Sequence, residues 1–397
     1  MSALRIRLPG ANRSLADYTM RGPGNFTPAA PGTALNRIAY SAAHVVADGR
    51  AAIDPWLDCA IDWDATISYR RHLWSLGLGV AEAMDTAQRG MGLDWPTSLE
   101  LIGRSIDAAR DMPGALLASG CGTDHLAPEA ARSVDDVIKA YEQQMEAIEA
   151  LGGRLILMAS RALARVATGP DDYARVYDRV LGQAREPVIL HWLGDMFDPA
   201  LKGYWGSTDS DAAMDTALGI IAANAAQVDG IKISLLDKDK EVAMRRRLPA
   251  GVRMYTGDDF NYAELIAGDG VGAEPTHRHS DALLGIFDAI APAASAALAA
   301  LAGGDEARFH AILAPTVPLS RHIFCAPTRF YKTGVVFMAW INGHQDHFVM
   351  VGGQQSTRSL PHLCELFRLA DAAGLISNPD LSVARMRHLL ALHGVPA

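Results

Sequence analysis

Eight short apolar runs, beginning near Arg37, Leu78, Ala115, Arg154, Pro187, Asp229, Val252 and Asp281, recur along the chain. Between most of them lie stretches of helical periodicity, such as Trp95 to Asp111, Ser133 to Leu151 and Asp171 to Gln183. Strands that alternate with helices call for right-handed crossovers and a parallel sheet. Eight such units over about 250 residues are the size of a (β/α)8 barrel. A doubly wound open sheet is the alternative, but no G-x-G-x-x-G phosphate turn follows any strand candidate. The expected fold is therefore an α/β (β/α)8 TIM barrel with an N-terminal extension and a C-terminal helical appendage.

The expected boundaries are 1–35 for the extension, 36–303 for the barrel with its last helix, and 304–397 for the appendage. The extension is polar and rich in Gly and Pro (Arg21-Gly22-Pro23-Gly24, Thr27-Pro28, Pro31-Gly32), a segment to pack on the barrel or on a neighbouring subunit. Residues 269–280 read as an exposed loop before the eighth strand. The run Val335 to Ile341 fits a strand or a buried helix, and periodicity alone does not separate them.

At 397 residues and a net charge of −9, with both signs interspersed, the chain offers no footprint for nucleic acid or an anionic membrane. Its one basic cluster, Arg245-Arg246-Arg247, reads as a solvated helix end. The four cysteines (Cys59, Cys121, Cys325, Cys364) lie far apart and suggest a reducing compartment. Neither a signal peptide at Met1–Arg7 nor a run of membrane-spanning length is visible, so a cytoplasmic location is expected.

Chemistry enters at the sixth and seventh runs. Val228-Asp229-Gly230-Ile231-Lys232-Ile233-Ser234 is a buried strand that carries a lysine, and Met254-Tyr255-Thr256-Gly257-Asp258-Asp259 ends in a glycine and two acids. Burying an ammonium is costly, which favours the free amine, the form that attacks a carbonyl. Lys232 is the candidate nucleophile. Lys238 and Lys240 share its type but sit in a charged helical stretch facing solvent. In a barrel the strand ends converge on one face, which gathers Glu82, Asp85, Thr86, Asp124, His125, Ser160, Arg161, His191, Asp195, Lys232, Gly257 and Asp258. Gly257 permits a tight turn. Asp258 and Asp259 are candidates to orient Lys232 or a substrate hydroxyl, and Asp259 is read chiefly as the cap of the helix beginning at Phe260.

The motifs Val228-Asp229-Gly230-Ile231-Lys232 and Thr256-Gly257-Asp258-Asp259 resemble the dihydrodipicolinate synthase / N-acetylneuraminate lyase superfamily. Gly304-Asp305 resembles the start of a helix in its C-terminal part, and Ala60-Ile61-Asp62-Trp63-Asp64-Ala65-Thr66 the start of its first barrel helix. The resemblance implies a class I, lysine Schiff-base lyase or aldolase with no cofactor, a small keto substrate and a homo-oligomer, dimer or tetramer. Two departures mark a divergent branch. The family's carboxylate-holding G-T-T-G-E loop is replaced by Glu82-Ala83-Met84-Asp85-Thr86-Ala87-Gln88. The family's proton-relaying tyrosine is absent, and His191 stands at or beside its place.

On this reading Lys232 forms the Schiff base, and His191, Glu82 or Asp85 moves protons. Thr86, Ser160, Arg161, Gly257 and Asp258 hold a keto acid or a sugar-derived keto compound. Arg161 is equally a candidate ion-pair partner for Glu82 or Asp85. Tyr18, Tyr331 and Lys332 are further candidates from the appended segments. A second reading makes Glu82, Asp85, Asp124, His125 and His191 ligands of Zn, Mn or Mg in a metal-dependent lyase or isomerase. A third makes the barrel a non-catalytic binder of a sugar-like ligand.

Overall fold

The computed structural model describes residues 4–10, 14–29, 33 and 35–395. The first three residues and Pro31-Gly32 of the expected extension lie outside them. Two described segments of the extension pair as an antiparallel hairpin, β1 (Arg5–Pro9) with β2 (Leu15–Thr19). It rests on the C-terminal helices: Tyr18 Oη donates to Asp371 Oδ2 at 2.7 Å, and the amide of Arg21 to the same oxygen at 2.9 Å.

Eight parallel strands then close a barrel. They are β3 (Ala39–Ala42), β4 (Gly79–Glu82), β5 (Leu117–Cys121), β6 (Leu155–Leu157), β7 (Val188–Leu193), β8 (Val228–Ser234), β9 (Arg253–Thr256) and β10 (Asp281–Leu284), with β10 pairing back onto β3. Each begins within two residues of its apolar run. The helices between them start where the sequence supplies an oxygen cap. Asp62, Asp94, Ser133, Ser160, Asp209 and Asp237 each accept an amide of the first turn.

Alternation along the strands sorts the core into two layers. Tyr40, Ala42, Ala81, Ala118, Ile156, Ile189, Tyr255 and Leu283 fill the barrel interior. Their neighbours Val80, Leu157, Leu190, Ile231, Ile233 and Leu284 pack outward against the helices.

After the last barrel helix, Ala291–Ala302, five helices follow: Glu306–Leu313, Val317–Ile323, Tyr331–Ile341, Leu360–Ala372 and Pro379–Leu392. Asp305 caps the first of them. The ambiguous run 335–341 is thus helical, and it is buried on every side. Two surface expectations change. Arg245 is not solvated but buried, donating through Nε to the His277 carbonyl at 3.0 Å. His277, in the 269–280 segment, is buried with it. Among the described residues no helix is long and apolar enough to cross a membrane.

Candidate active site

Lys232 projects from β8 into the barrel, because Ile231 and Ile233 on either side of it face the helices. Its register partners are His191 on β7 and Tyr255 on β9. Only 7% of the residue is exposed. Burial lowers the ammonium pKa, opposed by the charges of Asp259 and Asp85. Gly257 gives the side chain its room. A Cβ there would lie 2.8 Å from Lys232 Cε and 2.3 Å from Ser234 Oγ, closer than atoms pack.

Neither acid after Gly257 caps the next helix, Tyr262–Ala267, which has no side-chain cap. Asp258 holds the turn before it: its Oδ1 accepts the amides of Phe260 at 2.8 Å and Asn261 at 3.0 Å. Asp259 is buried, takes the Ile286 amide at 2.9 Å and faces Lys232. Burial raises its carboxyl pKa well above the ordinary aspartate range, and the lysine charge pulls the other way. Burial disfavours the charged form of both the lysine and this acid, which suits proton exchange between them.

His191 lies beside Lys232 on the inner face, 1% exposed. Burial, and then the lysine charge, depress its pKa far below neutrality, so the imidazole is neutral. Its Nε2 stands 3.4 Å from Ser234 Oγ, and Nδ1 has no protein partner among the described residues.

Glu82 does not belong to this face. It is the outward residue after Ala81, buried under Arg70 through two contacts of 2.9 Å and receiving Ser105 Oγ and its neighbour's amide. The expectation of Glu82 as a proton carrier fails on the pleat of the strand: the inward places are Ala81 and Met84. Asp85 and Thr86 do reach the site. They sit in the tight turn Asp85–Ala87, whose flanking residues Ala83 and Gln88 have φ of 51° and 66°. A left-handed backbone at two non-glycine residues is held by contacts from outside the turn. Arg89 donates to the Ala83 carbonyl at 3.3 Å, and Gln88 to that of Val351 at 2.7 Å.

Arg161 pairs with Asp198 at 2.5 Å, not with Glu82 or Asp85. Ser160 is a helix cap whose hydroxyl also meets Thr123 at 2.6 Å, so the cavity reaches it only through neighbours. Asp85, His191, Arg161, Arg89, Met158 and Leu193 line one cavity at the strand ends. The proposed metal set does not converge. Glu82 is bound to Arg70, Asp124 to Arg89 at 2.6 Å, and His125 to Gln143 and Gln144 at 2.8 Å. Asp195 is exposed. Among the described residues no three His, Cys, Asp or Glu side chains are grouped to hold an ion.

Two groups that the sequence named without a place arrive from helix Tyr331–Ile341. Tyr331, fully buried and stacked on Phe324, shares a 2.8 Å hydrogen bond with Thr86 Oγ1. Lys332, 4% exposed, donates to the Arg329 carbonyl at 3.1 Å, and burial lowers its pKa to about 8 while Asp85 opposes the fall. A lysine at the start of an apolar run is the same anomaly that marks Lys232 (Tyr331-Lys332-Thr333-Gly334-Val335), and it was the available signal. Tyr18, by contrast, is bonded to Asp371.

A 121-residue stretch is 31% identical to the 4-hydroxy-tetrahydrodipicolinate synthase of Azoarcus sp. (strain BH72), covering 30% of this chain and 37% of that protein. The match thus spans little more than a third of that curated relative. The dihydrodipicolinate synthase of Aquifex aeolicus superposes with a TM-score of 0.58 at 12% identity, over 91% of this chain and 99% of that one. YagE, a prophage protein of the dihydrodipicolinic acid synthase family from E. coli K12, solved in complex with pyruvate, gives 0.63 at 13% identity, over 86% and 100%. At these identities the likeness is one of fold, a parallel eight-stranded barrel with a C-terminal helical part. Residues 6–395 match the family described as "Protein of unknown function (DUF993)", and the chain belongs to that family and has the fold of the dihydrodipicolinate synthases.

Proposed function

We propose that the chain is a Schiff-base-forming lyase or aldolase that works through Lys232 on a small keto compound. The observation that carries this reading is a lysine buried inside the barrel, over a glycine that a Cβ would close, beside a neutral histidine and a buried acid. The neutral amine adds to the ketone carbon. The carbinolamine oxygen takes one proton from the nitrogen and one from an acid and leaves as water, so that a protonated imine remains. That cation accepts the electron pair of an adjacent bond as it breaks, giving an enamine that is reprotonated or adds to a second carbonyl. Asp259 and His191 exchange the lysine's proton. Tyr331, held by Thr86 next to Asp85, supplies a hydroxyl in place of the family tyrosine that β7 lacks.

Borohydride reduction in the presence of ketones tests the reading, since hydride converts the imine to a stable secondary amine. Intact mass and peptide mapping are expected to place a ligand-sized adduct on Lys232, absent from Lys232→Ala. Tyr331→Phe should label at least tenfold more slowly while melting within a few degrees of the parent. An adduct that survives in the alanine variant would sink the assignment.

A further inference from the structure

The cavity beside Lys232 is unusual in which of its charges are already matched. Arg161 is paired with Asp198, and Arg89 with Asp124, Gln144 and two backbone carbonyls. Asp85 alone among these charged lining groups receives no side-chain or backbone hydrogen bond to its carboxylate from the described residues. It stands at the end of β4, next to the Thr86 that binds Tyr331, in a turn clamped at both flanks. The two lysines of the site, Lys232 and Lys332, face it. Its side chain thus lines the cavity as an unpaired acceptor, together with His191, the register neighbour of Lys232.

An acceptor with two lone-pair oxygens wants hydroxyl or amine donors, and it repels a second carboxylate at close range. We infer that Asp85 is a specificity-determining residue: it selects ketones bearing a hydroxyl on the carbon next to the carbonyl and rejects 2-keto acids. This rests on Lys232 acting as the Schiff-base lysine and narrows the substrate from keto compounds in general to hydroxyketones of the sugar type. A carboxylate attached to the ketone carbon would meet Asp85 where both cavity arginines are already paired and where Lys332 already acts on that same acid. A hydroxyl at that place donates to Asp85 and leaves the existing ion pairs undisturbed.

The experiment compares reductive trapping by hydroxyacetone and dihydroxyacetone with trapping by pyruvate and 2-oxobutyrate, in the parent chain, Asp85→Asn and Lys232→Ala. Peptide mapping separates the Lys232 adduct from labelling of surface lysines. The parent is expected to form the Lys232 adduct at least tenfold faster with the hydroxyketones. Asp85→Asn, which keeps the size and removes the charge, should shift the ratio toward the keto acids by tenfold or more. Melting curves verify that the variant is folded, and the parent's own preference tests the inference without it. A parent that traps pyruvate as fast as hydroxyacetone on Lys232 overturns the inference and leaves the lysine reading standing. A ratio unchanged by Asp85→Asn in a folded variant also overturns it. An adduct with no ketone at all overturns the lysine reading and takes this inference with it.

Discussion

At the scale of single residues, the site depends on what is small as much as on what is charged. Lys232 has a free path into the barrel only because position 257 lacks a Cβ, and Gly230, two residues earlier, leaves space that the Tyr255 ring occupies. Substituting Gly257→Ala forces either the lysine methylenes or the Ser234 hydroxyl to move. Overpacking of this kind costs about 1–3 kcal/mol. A shift of the amine also misaligns it for addition, so the rate of reductive trapping should fall by at least tenfold. The two readouts separate the effects: urea midpoints report the strain, and adduct formation by the folded fraction reports the geometry. A variant that traps at the parental rate would mean that the lysine tolerates displacement and that the glycine serves the turn alone.

At the scale of elements, helix Lys238–Arg245 is tied to the barrel through a buried carboxyl. Glu241 accepts Ser280 Oγ at 2.7 Å and Thr256 Oγ1 at 2.9 Å. Burial pushes its pKa up to about 8 from an ordinary 4.5, against those hydrogen bonds and Arg245. Between the two values the folded chain keeps a proton that the unfolded chain has lost, so stability falls as pH rises through that window. Glu241→Gln should remove this slope, about 1.4 kcal/mol per pH unit at most, in urea unfolding compared at pH 5 and pH 8. The pairing of helix with strand was legible from period, because apolar runs and helical periodicity are local properties. Which way a strand-end residue faces was not. One position separates Glu82, bound to Arg70 behind the barrel, from the inward Ala81, and the apolar run has no mark for that phase. Asp258 and Asp259 show the same limit: either suits a cap by type, and only the turn after Gly257 decides that the first holds that turn and the second meets the lysine. Arg245 misled for a different reason, since its partners, His277, Ser280 and Asp269, come from more than twenty residues away.

At the scale of the whole molecule, the C-terminal helices are part of the site. Tyr331 and Lys332 enter from a helix more than ninety residues beyond Lys232, and this long-range closure is why the sequence named both without placing them. The N-terminal hairpin is in turn fastened to these helices, through Asp371. That buried acid receives Tyr18 Oη at 2.7 Å and the amides of Arg21 at 2.9 Å and Gly22 at 3.3 Å. Arg368 adds a bond to the Pro9 carbonyl at 3.3 Å. Replacing the acid removes a charged acceptor shared by three donors, each such hydrogen bond being worth about 1.5–3 kcal/mol. Among the described residues the hairpin is bonded to the C-terminal helices, so its release should leave the chemistry in place. In Asp371→Ala, trypsin is expected to cut after Arg5, Arg7 or Arg21 at least tenfold faster than in the parent, while Lys232 traps ketone at the parental rate. Asp371→Asn, which retains an acceptor for Tyr18, should fall between the two. If cleavage accelerates and trapping collapses with it, the hairpin braces the helix that delivers Tyr331, and the N-terminal segment belongs to the catalytic unit rather than to its outer shell.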